Sequence, residues 1–343
     1  MKALFITTET NETMKYVESL KLVLGKGVVH YVFSHRRVQN ALEGNALDSA
    51  IHKLALEVNP SFIAYLGGCQ GIMPSIDILR RLNREIAPSV CLVSDAGDLV
   101  CPWQPLLRRY DESGCFSALV AIDGVNDWEF SDRCMTLLTP VDPVYYMTPP
   151  RPHAERKMVF GFAGNVSRSK MDSNGAWTGR RHKTDKMVDF GLRTRQRDSD
   201  PLLHPMKSYQ AYCDFMTQTR ITPNFPLTGS YQHMHVKGRV VEAGLAGCLL
   251  LEEEGSPTSR WFEKDRDYLE FKPTMGAKSI VEYYGNKPEA SQAFGWRLRE
   301  KVLKEHHPSK FWGKVMERIG ISSATESPRQ VSHVFTLAEG GHP

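Results

Sequence analysis

Residues 221–254 read ITPNFPLTGSYQHMHVKGRVVEAGLAGCLLLEEE. Ile221–Phe225 has the composition of a short strand, and a polar loop rich in hydrogen-bond donors follows it. A helix opens near Lys237 and Gly238 and stops at Gly247, where glycine takes the left-handed conformation that closes a helix without a Cβ penalty. Cys248–Leu251 then reads as a buried strand. Lys237 and Arg239 put two cations beside the unpaired amides of the helix start, whose dipole already favours an anion. Gly238 lets the backbone come close to whatever sits there. Glu242, one turn in, is suited to accept from a pair of sugar hydroxyls, as an acidic residue holds a ribose in dinucleotide folds. Cation, glycine and carboxylate in that order point to a nucleotide, phosphates at the helix mouth and ribose a turn deeper. A plainer account fits the same residues: Val240, Val241, Leu245 and Ala246 form an ordinary core stripe, with Lys237 and Glu242 as solvated charges.

Outward from this stretch, the N-terminal half alternates strands and helices. Strands are expected at Lys2–Thr7, Gly27–Phe33, Phe62–Leu66, Ala87–Val93, Cys115–Ile122 and Met135–Leu138, with helices at Met14–Leu24 and about Leu47–Glu57. That alternation is the pattern of a parallel sheet. The fourth strand ends in SDAGD, which places Asp95 and Asp98 at a carboxyl edge, where doubly wound folds bind ligands. Both aspartates fit either turn capping or the orientation of an acceptor hydroxyl. Neither the loop GGCQGIMPS nor the first strand carries the G-x-G-x-x-G order, which argues against a nicotinamide or flavin enzyme.

Adjacent prolines in MTPPRPHAERK (147–157) stiffen the path and suppress helix, the signature of a hinge. A strand at Met158–Ala163 restarts the pattern and runs into Gly164, Asn165 and a long basic loop, VSRSKMDSNGAWTGRR, ahead of a helix from about Lys183. Arg193–Pro205 is charged and irregular and reads as loop. Helices follow at Met206–Thr217, Gly276–Tyr284, Gln292–His306 and Phe311–Ile319, with a short helix at Ser256–Phe262 and a strand at Tyr268–Lys272. The organisation expected is an N-terminal domain 1–148, a hinge 149–157, a C-terminal domain 158–310, a crossover helix 311–320 and a loosely ordered tail 321–343.

A length of 343 residues suits two domains, and 41% apolar with 24% charged residues is ordinary globular composition. The net charge of +4 fits a nucleotide ligand without requiring one. Seven scattered cysteines, an odd number mostly within apolar runs, read as free thiols in a reducing compartment. No Cys/His spacing matches a metal site, and no apolar run approaches the roughly 20 residues of a membrane span. A cytoplasmic protein is the expectation.

The segments KGRVVEAGLAGCLLLEEE, TSRWFEKDRDYLEF, IVEYYGNKPE and REKVLKEHH resemble the C-terminal half of the group 1 glycosyltransferases, nearest the spore-maturation-type branch with its consensus K-G-R-x-F-E-A-x-A-C-G-x-x-L-L. The likeness is strong over Ile221–His307 and loose elsewhere. Asn224 and Asp95 stand where that branch carries an asparagine and an aspartate after strands. The resemblance implies an α/β chain of two Rossmann-like doubly wound domains facing across a cleft (GT-B), the C-terminal one holding a UDP- or GDP-sugar. It further implies that Gly164, Asn165 and Arg180, or alternatively Arg168 or Arg181, grip the diphosphate with Lys237, Gly238 and Arg239. Asn224 and Glu242 complete the donor site. Lys237, Arg239 and Asp95 would carry the catalysis, with retention, without a bound metal and with a glycan, protein or, less in keeping, nucleic acid as acceptor.

One position departs from the pattern. Many relatives carry a second glutamate eight residues before Glu242, near the donor sugar; here it is Met234, which leaves His233, His235 or Gln232 to contact the sugar. An epimerase or phosphorylase of the same architecture, or a binding module without turnover, keeps the same diphosphate and ribose contacts.

Overall fold

The computed structural model describes residues 1–8, 11–34, 42–67, 72–94, 96, 103–146, 150–164, 180–195, 205–227, 233–272 and 275–322. They build two parallel sheets. The first comprises β1 (Ala3–Thr8), β2 (Val28–Ser34), β3 (Phe62–Leu66), β4 (Ser89–Val93), β5 (Ala118–Ala121) and β6 (Cys134–Thr136), in the order β2-β1-β3-β4-β5-β6. Helices α1 (Asn11–Leu24), α2 (Gly44–Val58), α3 (Ile76–Arg81) and α4 (Trp103–Glu112) connect them. The second sheet comprises β7 (Met158–Ala163), β8 (Arg193–Arg195), β9 (Thr219–Asn224), β10 (Leu249–Glu253) and β11 (Leu269–Phe271), in the order β11-β10-β9-β7-β8. Its helices are α5 (Arg180–Val188), α6 (Pro205–Thr217), α7 (Gly238–Ala246), α8 (Met275–Gly285) and α9 (Pro288–Glu305), and α10 (Pro308–Arg318) follows.

Helices cover both faces of each sheet, so central strands such as β3 and β4 are buried along their whole length instead of alternating. Every residue of β3, β4 and β10 is buried. The order reverses between β1 and β3 in the first sheet and between β7 and β9 in the second. These reversals open crevices at the carboxyl ends of the strands, where doubly wound folds receive ligands.

The expected loop at Arg193–Pro205 is corrected at its start. Arg193–Arg195 pairs in parallel with Gly161–Ala163 as the edge strand β8. An edge strand needs one neighbour only and tolerates charged side chains, so its sequence lacks the apolar run by which strands are recognised. The helix α10 packs on the first sheet, although it follows the second in sequence. Its Phe311, Trp312, Val315, Met316 and Ile319 share a core with Phe5, Phe62, Leu92 and Val120. The indole of Trp312 donates to Ser19 Oγ at 3.0 Å and meets the Phe5 ring edge-on at 6.0 Å.

The helix α7 is fixed at its far end by a dense set of contacts. Gly247 is left-handed (φ 65, ψ 33), its N–H bonds to Gly244 O at 2.8 Å, and Cys248 N–H reaches Ala243 O at 2.9 Å, the paired closure of a Schellman turn. The last carbonyls then meet cations and a histidine: Arg299 donates to Leu245 O, Arg156 to Ala246 O at 2.8 Å, and His153 Nε2 lies 2.7 Å from Gly247 O. Both arginines complement the negative end of the helix dipole. His153 Nδ1 sits 2.7 Å from Ser291 Oγ, and burial pulls the imidazole pKa down to about 3, so it packs there neutral.

Candidate functional site

The carboxyl edges of the two sheets meet. Just past β5, Asp123 O accepts from Val236 N at 2.8 Å and Gly124 O accepts from the Trp261 indole at 2.8 Å. Arg260 reaches Asn126 at 3.3 Å, and the Tyr145 hydroxyl donates to Glu18 of α1 at 3.2 Å. The mouth of α7 lies inside this junction, beside the β7/β9 crevice.

Lys237 precedes the helix with an extended backbone (φ −67, ψ 149). Two residues on, the guanidinium of Arg239 lies over the Phe162 ring, 4.2 Å from its centre, and donates to Ala163 O at the end of β7. Its Nη1 is buried and has no hydrogen-bond partner among the described residues. Gly164 follows directly with φ +152, and Arg239 Nη2 stands 2.7 Å from the place where a Cβ at Gly164 would lie. Gly238 faces the other half of the molecule: Lys15 Nζ of α1 and Thr139 Oγ1 lie 3.0 and 3.2 Å from where its Cβ would be.

Glu242 is 5% exposed and both carboxylate oxygens are engaged. Lys15 donates to Oε1 at 3.3 Å and the Tyr212 hydroxyl to Oε2 at 2.6 Å. Hydroxyls arriving at Glu242 must displace or share those donors. Asn224, at the end of β9, spends its amide on Glu252, with Nδ2 3.0 and 3.1 Å from the two carboxylate oxygens. Thr258 Oγ1 is a second donor and adds a third hydrogen bond at 3.0 Å. Burial nevertheless dominates and pushes the Glu252 carboxyl up to about 7.

The structure thus gathers Gly164, Gly238, Arg239 and Glu242 around one mouth with Lys237 at its rim, and turns the Asn224 side chain into the sheet edge. Asp95, Asn165 and Gln232 fall outside the described residues, as do Asp98 and Arg168; Arg180 opens α5, with its side chain outside them. Among the described residues no group of three or more His, Cys, Asp or Glu could hold a metal ion, and no helix is long and apolar enough to cross a membrane.

Sequence reasoning missed Lys15 and Tyr212 beside Glu242, and the ion pair of Lys183 with Glu253 at the end of β10. The first two carry no local signal, since Lys15 and Glu242 are 227 residues apart. Glu253 was legible in principle: two acids that close a fully apolar strand, LLLEE, must be buried or capped.

Residues 196–317 match the family model described as glycosyl transferase-like. No curated protein matches the sequence. Among solved structures, HepE of Anabaena in complex with UDP and glucose superposes with a TM-score of 0.59 over 93% of this chain and 99% of that one, at 12% identity. A glycosyltransferase from Rickettsia africae gives 0.55 over 93% and 97% at 10% identity. Sucrose-phosphate synthase from Thermosynechococcus elongatus gives 0.59 over 93% and 99% at 8% identity. The fold is that of the GT-B glycosyltransferases. In GT-B terms the β7/β9 crevice and the mouth of α7 belong to the C-terminal Rossmann-like sheet, and Lys15 and Thr139 belong to the N-terminal one.

Proposed function

We propose that the chain is a glycosyltransferase that moves a sugar from a nucleoside-diphosphate donor to an acceptor hydroxyl, with the diphosphate at the mouth of α7. The observation that carries this reading is Arg239: a half-buried side chain at the strand edge beside a helix N-terminus, one buried guanidinium nitrogen of which has no partner among the described residues. An arginine nitrogen can only donate, and the helix start beside it also favours negative charge. Lys237 and the Gly164 turn flank the same place; Asn165 and Arg180 are assigned to the diphosphate on the sequence resemblance alone. UDP is favoured over GDP as the carrier, because HepE structures hold UDP or UDP-glucose.

In the reaction the acceptor oxygen forms the new bond to the anomeric carbon as the bond to the diphosphate oxygen breaks, and the acceptor proton leaves with the diphosphate. Arg239 and Lys237 stabilise the charge that develops on the leaving group. Asp95 orients the acceptor hydroxyl, and Glu242 exchanges Lys15 or Tyr212 for the ribose hydroxyls. Retention of anomeric configuration and a cytoplasmic location belong to the same reading; the five described cysteines, all buried free thiols, support the latter.

Replacing Arg239 with Ala tests it. Loss of one donor aimed at developing charge lowers kcat about 100- to 1,000-fold, which donor-consumption assays with UDP-sugars would register. Arg239→Lys does not restore the rate, since a single ammonium cannot serve Ala163 O and a phosphate in the fork geometry. Equal rates in wild type and Arg239→Ala would remove the assignment. The occupied Glu242 carboxylate favours one other reading, a module that binds sugar nucleotides without turnover. Tight UDP binding with no donor consumption across acceptor panels would select it.

A further inference from the structure

Glu253 closes β10 at the carboxyl edge of the second sheet and is 4% exposed. Its Oε1 accepts from Lys183 of α5, while its Oε2 is buried and has no partner among the described residues. Buried carboxylate oxygens are ordinarily satisfied, and a carboxylate can only accept. Whatever completes this one brings an O–H or N–H.

A line of contacts joins this oxygen to the proposed diphosphate site. Lys183 Nζ lies 6.0 Å from the centre of the Phe225 ring, Phe225 meets Phe162 at 5.2 Å with the planes at 61°, and Arg239 lies over Phe162. The two orphaned atoms, Arg239 Nη1 and Glu253 Oε2, therefore stand at the two ends of this line of contacts along the edges of β10, β9 and β7, with the buried Phe162 and Phe225 rings packed between them. One end calls for an anion and the other for a donor group. A sugar nucleotide presents that sequence of chemistry: a diphosphate, then a ring with a rim of hydroxyls. The carboxylate also fixes the direction, because it repels phosphate.

We propose that Glu253 binds hydroxyls of the transferred sugar through Oε2, with Lys183 as the positioning residue that holds Oε1. The proposal rests on the donor-site reading above and adds the residue that distinguishes one sugar from another. The alternative donor to this oxygen, a nucleobase N–H, is separated by the test.

The full chain and its Glu253→Gln variant are titrated calorimetrically with UDP, GDP, UDP-glucose, UDP-galactose, UDP-N-acetylglucosamine and GDP-mannose. For the sugar nucleotide that wild type binds most tightly, Glu253→Gln raises Kd at least tenfold, while Kd for the matching bare diphosphate stays within twofold. That unchanged value also certifies the fold of the variant. An equal loss for bare diphosphate and sugar nucleotide in a variant that melts cooperatively assigns Glu253 to the nucleotide and overturns the proposal, as does no loss for either. Should Glu253→Gln fail to melt cooperatively, Glu253→Gln/Lys183→Met, which removes the buried lysine charge as well, takes its place with the same expectation; wild-type affinity for the sugar nucleotide in that variant overturns the proposal. Wild type that binds none of the six overturns the donor-site reading itself, a different outcome from loss of sugar discrimination.

Discussion

At the scale of single residues, burial controls the protonation of side chains in the second half, among them Glu252 and His153. Glu252 is the clearest case, since burial raises its carboxyl from the ordinary 4.5 to about 7 despite donors from Asn224 and Thr258. An acid whose folded pKa is raised contributes stability that is present below about 4.5 and is lost as pH rises through about 7, because the native state must then hold a buried charge. The difference amounts to roughly 3 kcal/mol at 1.36 kcal/mol per unit. Glu252→Gln should lack that loss, so its melting temperature relative to wild type should rise between pH 5 and pH 8. A constant difference across that range would show that Glu252 does not titrate there. His153 acts in the opposite sense: its depressed pKa gives stability that is full above about 6.5 and falls away toward pH 3. The two slopes oppose each other between pH 4.5 and 6.5, so each is visible only in its own variant.

At the scale of elements, α7 illustrates what a sequence discloses. Its start at Gly238 and its stop at Gly247 were readable because capping chemistry is local: a glycine followed by an apolar strand ends a helix in a predictable way. The strands β1, β3, β7 and β10 were readable because two helical layers bury them, leaving unbroken apolar runs. The short edge strand β8 was not, and neither was the set of groups that secures the far end of α7. Arg156 and His153 lie in the proline-flanked segment that reads as a hinge, yet both side chains are fastened to the second half. Composition gives the stiffness of such a segment and says nothing of where its side chains go. Arg156 donates to Arg151 O at 2.9 Å, Thr219 O at 2.6 Å and Ala246 O at 2.8 Å. Arg156→Met strands these carbonyls, each at about 1–3 kcal/mol when buried, and should destabilise the chain by at least about 3 kcal/mol in urea denaturation followed by circular dichroism. A change under about 1 kcal/mol would mean that water replaces the guanidinium. The same locality accounts for the site. Lys237, Gly238, Arg239 and Glu242 are legible together because they share one helix start, whereas Lys15, Tyr212 and Lys183 arrive from other helices and only packing brings them in.

At the scale of the whole molecule, the two sheets are tied by Lys15–Glu242, by the backbone contacts at Asp123 and Gly124, and by the return of α10 to the first sheet. Trp312 is fully buried against Phe5 and Phe62. Trp312→Ala removes that ring from a close-packed core, and losses of this kind cost about 3–5 kcal/mol. Denaturant titration should show a loss of that size; a loss below about 1 kcal/mol would mean that α10 is dispensable to the first sheet. The path of α10 also sets a timetable for biosynthesis. All the strands of the first sheet emerge early, but the part of one face that α10 covers, beside α1, stays open until Phe311–Ile319 has been made. At about 5–20 residues per second, the interval between Leu137 and Phe311 lasts on the order of 10 to 30 seconds. For that time the nascent first half shows an oily surface meant for a helix still to be translated, which makes it a client for chaperones that hold apolar surfaces and puts its burden of misassembly in the minute of synthesis.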